Sequence, residues 1–301
     1  MKQRLKLIIG LSVVAITTTV FAFYLSAHRN LLTQLRHTHI STIAGLLFLY
    51  ALWFVALALV FQATIRICHK ALSTKENVLL NAYSTLVNFF VPGQGGPVVR
   101  GAYLKKWHQL RVRDYVTAVL LYYACYALLS AGLILATIRP WWQTLIGLIL
   151  VGAVCTFVVK WYIKRSRTKP SRLALEPSTI VFLLAVTLIQ ALVQVAIYSV
   201  ELHSVNPQIS LKQIIIYTGA ANFSLFASLT PGGIGIRESF LVFSEHLNHI
   251  STANIVAASV IDRGVFIVFL AILFLMTFGF HAKNRLAIGP VNQNLNPEAS
   301  D

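Results

Sequence analysis

The chain of 301 residues is 57% hydrophobic and only 11% charged, a composition that excludes an ordinary soluble domain. Its net charge of +16 does not indicate nucleic-acid binding, because no basic patch is interleaved with aromatic side chains. The basic residues instead flank apolar runs, as the charges that orient membrane proteins do. The three cysteines are far apart and match neither a disulfide framework nor a zinc-binding spacing. We therefore predict a membrane protein without a metal or another cofactor.

Six apolar runs are long enough to cross a bilayer, which takes about 20 residues of helix. They lie at residues 7–27, 43–63, 115–137, 142–161, 179–200 and 252–280. The first run is preceded by basic residues, but its apolar core is too long for a signal peptide and no small-residue cleavage site follows. We predict that it is retained as a helix, within a polytopic membrane domain of residues 1–281. Residues 282–301 are polar and are predicted to form a disordered cytoplasmic tail.

Two further apolar stretches, at residues 78–107 and 211–246, are each interrupted by a proline-glycine break. The breaks are Pro92-Gly93-Gln94-Gly95-Gly96-Pro97 and Pro231-Gly232-Gly233-Ile234-Gly235. Before the first break, residues 78–91 reach only about 21 Å as a helix, whereas a hydrocarbon core needs roughly 30 Å. This stretch is therefore predicted to enter the membrane and return to the same side. Residues 211–229 are long enough to cross, so a full crossing stays open there, although symmetry with the first stretch favours a hairpin.

The distribution of basic residues predicts the orientation of the chain. With a cytoplasmic N-terminus, most of the 25 Lys and Arg residues fall on the cytoplasmic side, as the positive-inside rule requires. Those on the opposite side are Arg29, Arg36, Arg139 and Lys212. The predicted fold is an all-α integral membrane protein of about six transmembrane helices plus two re-entrant half-helix hairpins. The hairpins open to opposite sides, so the two halves are arranged as inverted repeats, as in many secondary transporters.

Three arginines fall at membrane depth, where each costs about 2.5–3.5 kcal/mol and usually marks a ligand path. Arg100 and Arg237 lie in the first turns of the returning half-helices, whose free N–H groups and dipoles favour an anion. Together with Arg263, these arginines carry three positive charges, and Glu238 and Asp262 carry two negative charges, so one positive charge is left in excess. A guanidinium can bind phosphate through two parallel hydrogen bonds. Glycines beside both breaks would let a headgroup approach the backbone. The candidate binding residues are Arg100, Arg237, Glu238, Asp262, Arg263, Gly95, Gly96, Gly232, Gly233 and Gly235.

Each of these residues also has a structural interpretation. Arg263 could pair with Asp262 or Glu238 between helices, and Arg100 could extend to the cytoplasmic surface if its hairpin is shallow. Glu238 could cap its half-helix, since carboxylates stabilise helix N-termini. The glycines could serve only close helix packing. Arg237 is the strongest functional candidate of the set.

Two motifs resemble those of a known family. Residues 231–242, Pro-Gly-Gly-Ile-Gly-Ile-Arg-Glu-Ser-Phe-Leu-Val, are similar to the signature of the flippase-like family known as the lysylphosphatidylglycerol synthase transmembrane region. Residues 88–104 look like its first motif, and Asp262-Arg263 lies where the family tends to have an arginine. The resemblance covers nearly the whole chain. Gln94 and Pro97 are neutral where the family often has a basic and an acidic residue, so the resemblance does not carry the family's headgroup over to this chain.

The resemblance and the arginines together imply a bacterial inner-membrane protein that binds and translocates an anionic lipid, either a phospholipid or a polyprenyl phosphate. We expect no enzyme activity, both termini in the cytoplasm and an anionic membrane lipid as the partner. One alternative is a membrane-embedded lipid-linked transferase, for which only Glu238 and Asp262 qualify as a general base. Another is a non-catalytic accessory protein for envelope lipid organisation. A homo-oligomer or an envelope-biogenesis partner stays open.

Overall fold

The computed structural model describes residues 38–90, 95–138, 176–227, 236–243 and 245–283, with positions 140, 142, 143, 146, 147, 149 and 173. This part of the chain contains nine α-helices and no strand. They are α1 (Ile40–Ile67), α2 (Thr74–Phe90), α3 (Gly95–His108), α4 (Val112–Ile138), α5 (Pro177–Val205), α6 (Leu211–Ala227), α7 (Ile236–Phe243), α8 (Glu245–Asn248) and α9 (Thr252–Lys283). The predicted span at 7–27, most of that at 142–161 and the tail after residue 283 lie outside the described residues.

Four of these helices, α1, α4, α5 and α9, are long and apolar enough to cross a membrane. They coincide with the predicted spans at 43–63, 115–137, 179–200 and 252–280, which confirms the all-helical membrane class. They contain 28, 27, 29 and 32 residues, so at about 1.5 Å per residue each exceeds a hydrocarbon core of roughly 30 Å. Large apolar side chains are exposed along them, as expected of a surface that faces lipid.

The helices pack around two buried apolar groups at opposite ends of α1 and α5. One group, the Tyr217 core, includes Leu46 near the start of α1 and Ile197 near the end of α5. The other, the Phe61 core, lies near the end of α1 and includes Leu183 near the start of α5. Because α1 and α5 contribute opposite ends to each group, they run antiparallel, side by side. Around this central pair, α2 packs on α1 and α9, and α6 packs on α4 and α5.

Helices α2 and α3 form a helical hairpin. At its open end, Tyr103 Oη donates a hydrogen bond to Glu76 Oε1 over 2.7 Å, and His108 Nε2 lies 2.6 Å from the same oxygen. Near its tip, Gly96 lies so close to α2 that an added Cβ would be 2.7 Å from the carbonyl oxygen of Ser84. The predicted proline-glycine break falls where α2 ends and α3 begins, and the chain reverses direction across it.

A second hairpin is formed by α6 and the short helices α7 and α8. Helix α6 ends at Ala227 and α7 begins at Ile236, so the second predicted break also separates a longer helix from a returning one. At the open end, Gln213 Nε2 donates to the backbone carbonyl of His249 over 3.1 Å. The start of α6 and the end of α8 therefore lie side by side, and the chain folds back here instead of continuing as one straight helix.

Candidate functional site

Arg237 lies at the start of α7 and is buried between helices. Its Nη1 forms an ion pair with Oδ2 of Asp262 on α9. Its Nη2 donates a hydrogen bond to Tyr198 Oη on α5 over 3.0 Å, and its Cζ lies 5.3 Å from the centroid of that ring. The side chains of Arg237 and Asp262 are only 15% and 4% exposed. The charge of Arg237 is therefore matched by a carboxylate inside the protein.

A second carboxyl group, that of Glu201 on α5, faces the same ion pair. Glu201 is fully buried and interacts electrostatically with Asp262 and Arg237. Neither of its carboxyl oxygens has a hydrogen-bond partner of ordinary geometry among the described residues. Sequence analysis missed this residue because the apolar run predicted as a span ends at residue 200, whereas α5 continues to Val205. The signal that could have found it is one acidic residue directly after a long apolar run.

Three tyrosines complete this group. Tyr50 on α1 donates a hydrogen bond from its Oη to Oδ1 of Asp262. The rings of Tyr198 and Tyr217 meet edge to face, with centroids 5.2 Å apart. Tyr217 Oη and Arg237 Nε are buried and have no hydrogen-bond partner in the part of the chain that the structure describes. We call the group the Arg237 cluster; its members are Tyr50, Tyr198, Glu201, Tyr217, Arg237 and Asp262.

The other hairpin carries Arg100 in the second turn of α3. The Arg100 Cζ lies 4.8 Å from the ring centroid of Phe61 on α1. Tyr115, Tyr122 and Tyr123 on α4 are its electrostatic neighbours. Its Nε is buried without a hydrogen-bond partner, and no carboxylate within the described ranges forms an ion pair with it. These five residues form the Arg100 cluster, in which aromatic rings surround a guanidinium that has no acidic partner among them.

A line of polar side chains joins the two clusters. On α4, the ring centroids of Tyr122 and Tyr126 lie 6.0 Å apart. Tyr122 Oη donates to Gln190 Oε1 over 3.0 Å, and Tyr126 Oη donates to Asn222 Oδ1 over 2.7 Å. Tyr126 in turn interacts electrostatically with members of the Arg237 cluster. Polar groups therefore continue from one arginine to the other through the interior.

Comparison with known families decides the assignment. Residues 6–273 match the family described as the lysylphosphatidylglycerol synthase TM region. The chain belongs to this family. The match confirms the resemblance that the two motifs carry, and it includes both hairpins and both clusters. Comparison with curated proteins gives no match.

This member of the lysylphosphatidylglycerol synthase TM region family is thus a membrane-embedded protein of a lipid-related family. Its two hairpins each carry one partly buried arginine close to the break. One arginine is neutralised by a carboxylate, and the other lies among aromatic rings. A guanidinium without an internal counterion can bind a phosphate or a carboxylate through two parallel hydrogen bonds.

The remaining predicted site residues are distributed around these clusters. Gly95 and Gly96 are buried at the start of α3, and the close contact of Gly96 with α2 accounts for that glycine through packing. Arg263 is 9% exposed on α9 and directly follows Asp262. Glu238 lies on α7, beside Arg237. The glycines of the second break, Gly232, Gly233 and Gly235, lie outside the described residues.

Proposed function

We propose that the protein binds an anionic lipid headgroup at membrane depth and translocates the lipid across a bacterial inner membrane. The observation that carries the proposal is the partly buried guanidinium of Arg100, whose Nε is buried and which has aromatic neighbours and no carboxylate partner in the described ranges. Leaving a buried charge without its partner typically destabilises a protein by about 3–5 kcal/mol, so such a cation calls for a counterion. A phosphate group supplies one in bidentate geometry.

The dimensions of the hairpins support a re-entrant arrangement. Helix α2 contains 17 residues, about 25 Å as helix, which is short of a hydrocarbon core of roughly 30 Å, and the described part of α6 has the same length. Each would enter the membrane, end at its break and return to the side from which it came. In the proposed topology of six spans and two such hairpins, both termini are cytoplasmic. The Arg100 hairpin then opens to the cytoplasm and the Arg237 hairpin to the periplasm.

The polar line between the clusters supports translocation rather than binding alone. Tyr122, Tyr126, Gln190 and Asn222 place hydroxyl and amide groups between the two arginines. Such groups offer hydrogen bonds to a headgroup that has left water, while the acyl chains stay in the surrounding lipid. Intramembrane polar side chains of this kind are expensive to insert and usually line a substrate path.

The contacts of Asp262 favour transport over the transferase alternative. A general base must lie within hydrogen-bond reach of the substrate proton that it removes. Asp262 instead accepts a hydrogen bond from Tyr50 and forms an ion pair with Arg237. Glu201, the other carboxyl in the cluster, is fully buried. We therefore propose that the protein is not an enzyme; among the candidate bases, the transferase alternative would then depend on Glu238 alone.

The test is scrambling of fluorescent phosphatidylglycerol by the full-length protein in phosphatidylcholine vesicles. Arg100→Gln keeps polarity but removes the charge, and a charge-assisted hydrogen bond contributes about 1.5–3 kcal/mol, so the rate should fall roughly 10- to 150-fold. Arg100→Lys should recover only part of this loss, because an ammonium cannot donate two parallel hydrogen bonds as the planar guanidinium does. Lys105→Gln removes an exposed charge from the same helix and is the matched control, expected to keep the wild-type rate.

Three outcomes would contradict parts of the proposal. Equal rates in Arg100→Gln and Lys105→Gln would remove Arg100 from the site. Binding of the fluorescent lipid without scrambling would favour the accessory-protein alternative. Scrambling of a fluorescent phosphatidylcholine at the same rate would show that the headgroup charge is not recognised.

A further inference from the structure

We propose that the carboxyl groups of Glu201 and Asp262 form a proton-binding site inside the membrane domain. The Arg237 cluster contains two carboxyl groups and one guanidinium. Because Asp262 takes the guanidinium as its partner, Glu201 is left without a cation. If both carboxyls were ionised, the cluster would hold an excess negative charge in a fully buried position, which is strongly unfavourable. One proton, held on Glu201 and shared with Asp262, removes that excess.

The titratable and charged groups that interact with Glu201 come from five helices. They are Tyr50 on α1, Tyr198 on α5, Tyr217 on α6, Arg237 on α7 and Asp262 on α9. Tyrosine hydroxyls are uncharged near neutral pH. Among the described side chains that interact with Glu201, the net charge is therefore set by one guanidinium and one other carboxyl group.

The unsatisfied oxygens of Glu201 indicate a proton between Glu201 and Asp262. Two ionised carboxylates have no hydrogen to donate to each other. Neither oxygen of Glu201 has a hydrogen-bond partner of ordinary geometry among the described residues, although Glu201 is fully buried and lies close to Asp262 and Tyr50. Buried polar groups in proteins nearly always have such partners. A proton on Glu201 turns one of its oxygens into a donor toward Asp262, the carboxylate that it faces.

A metal ion fits this position less well than a proton. Calcium and magnesium take about six or more oxygen ligands, and the guanidinium of Arg237 would repel a cation. Across the described ranges, no group of three or more His, Cys, Asp and Glu residues could hold a metal ion. A proton needs only the two carboxyl groups that are present.

Proton binding would be linked to lipid binding, and this step, unlike the proton site itself, rests on the proposed function. A headgroup anion that replaces Asp262 on Arg237 adds a negative charge to the cluster. The cluster stays neutral if Asp262 takes up a proton as the anion arrives. Uptake of one proton per anion means that binding tightens about tenfold for each unit by which the pH falls, within the range where that proton is taken up.

Infrared spectroscopy of the full-length protein in lipid tests the proton site directly. The chain contains only nine Asp and Glu residues, so the carbonyl band of a protonated carboxylic acid can be assigned by substitution. We expect this band at neutral pH in the wild type, its loss in Glu201→Gln and a shifted band in Glu201→Asp. Glu176→Gln, which changes an exposed residue just before α5, is the matched control and should keep the band. A wild type without the band, or a band unchanged in both Glu201 variants, would overturn the proposal.

The pH dependence of phosphatidylglycerol scrambling tests the coupling separately. We expect the wild-type rate to rise as the pH falls, and Asp262→Asn, assayed on its folded fraction, to lose this dependence. A wild-type rate that does not change with pH but still requires Arg100 would overturn the coupling and leave the proposed function intact. Absence of scrambling in the wild type would contradict the proposed function, and the infrared band would still decide the proton site.

Discussion

Arg100 and Arg237 occupy corresponding places in two hairpins, but their side chains meet different partners. Arg237 reaches a carboxylate on α9, whereas Arg100 lies over the ring of Phe61. A contact with an aromatic face stabilises a cation by about 0.5–2 kcal/mol. Removing the carboxylate partner of a buried cation costs more, about 3–5 kcal/mol. The two arginines therefore differ in their need for an external anion, and Arg100 has the greater need.

The Arg237–Asp262 ion pair leads to a prediction about stability. Asp262→Asn removes the carboxylate that forms the ion pair with Arg237 and leaves only Glu201 to neutralise it among the described residues, so we expect the free energy of unfolding to fall by up to about 3–5 kcal/mol. Arg237→Gln should cost a similar amount, because Asp262 then faces Glu201 without a cation nearby. The double variant should lose less than the sum of the two, since it contains neither unpaired charge. Denaturant unfolding of the purified variants in detergent measures these values.

The control for this cycle is Arg66→Gln, which removes an exposed arginine at the end of α1. Exposed charges contribute little, so we expect a change of about 1 kcal/mol or less. If the losses in Asp262→Asn and Arg237→Gln simply add in the double variant, the two residues do not stabilise each other.

At the scale of the helices, the hairpin of α2 and α3 depends on the small size of Gly96. A Cβ added there would lie 2.5 Å from Ser84 Oγ and 2.7 Å from the Ser84 carbonyl oxygen. The second of these atoms belongs to the backbone, so the two helices would have to move apart. We expect Gly96→Ala to lower the free energy of unfolding by about 1–3 kcal/mol, the usual cost of overpacking, measured by thermal unfolding in detergent.

Gly45 on α1 provides the matched control for this change. A Cβ added at Gly45 meets no atom within 4 Å. Gly45→Ala should therefore be neutral or stabilising by up to about 1 kcal/mol, because alanine favours a helix over glycine. Similar effects at the two glycines would mean that the contact with Ser84 does not hold the hairpin together.

The helices that sequence analysis predicts correctly are those with strong local signals. Long apolar runs identify α1, α4, α5 and α9, and proline-glycine pairs identify both points where the chain turns back. The end of α5 is different, because tertiary packing extends the helix past its apolar run and carries Glu201 into the interior. A residue that enters the core in this way leaves no hydropathy signal.

The pairing within the site is the part that could not be predicted. Asp262 and Arg263 are adjacent in sequence, but successive helical residues point about 100° apart and so face different neighbours. Asp262 instead meets Arg237, 25 residues earlier, because the second hairpin folds back against α9. Such a pair depends on how whole helices pack, which no short motif specifies.

At the scale of the whole molecule, the proposed topology can be tested with single cysteines at exposed positions. Lys70 precedes the first hairpin, Lys106 lies in the last turn of α3, and Pro207 precedes the second hairpin. Lys70→Cys and Lys106→Cys should be shielded from an impermeant thiol reagent in intact cells, whereas Pro207→Cys should be labelled. Labelling of Lys106→Cys from outside would show that the first hairpin crosses the membrane completely, which would contradict the inverted-repeat arrangement.

The native cysteines are removed before this experiment, although two of them are buried. Burial raises the pKa of the Cys68 thiol to about 12, and the Asp114 carboxylate adds to the effect. Thiolates are the reactive species, so Cys68 is unreactive near neutral pH. Cys125 is also buried, and Cys155 lies outside the described residues. Labelling of the introduced cysteines can then be assigned without ambiguity.

The hydrogen bonds at the open ends of the hairpins have a consequence for motion. At the first hairpin, Glu76 at the start of α2 contacts Tyr103 and His108 at the end of α3. At the second hairpin, Gln213 at the start of α6 donates a hydrogen bond to the backbone carbonyl of His249. Parting the two arms of either hairpin would break these bonds, whereas tilting the hairpin as one rigid body keeps them. In the proposed translocation, these bonds favour rocking of each hairpin as a preassembled unit over separation of its arms.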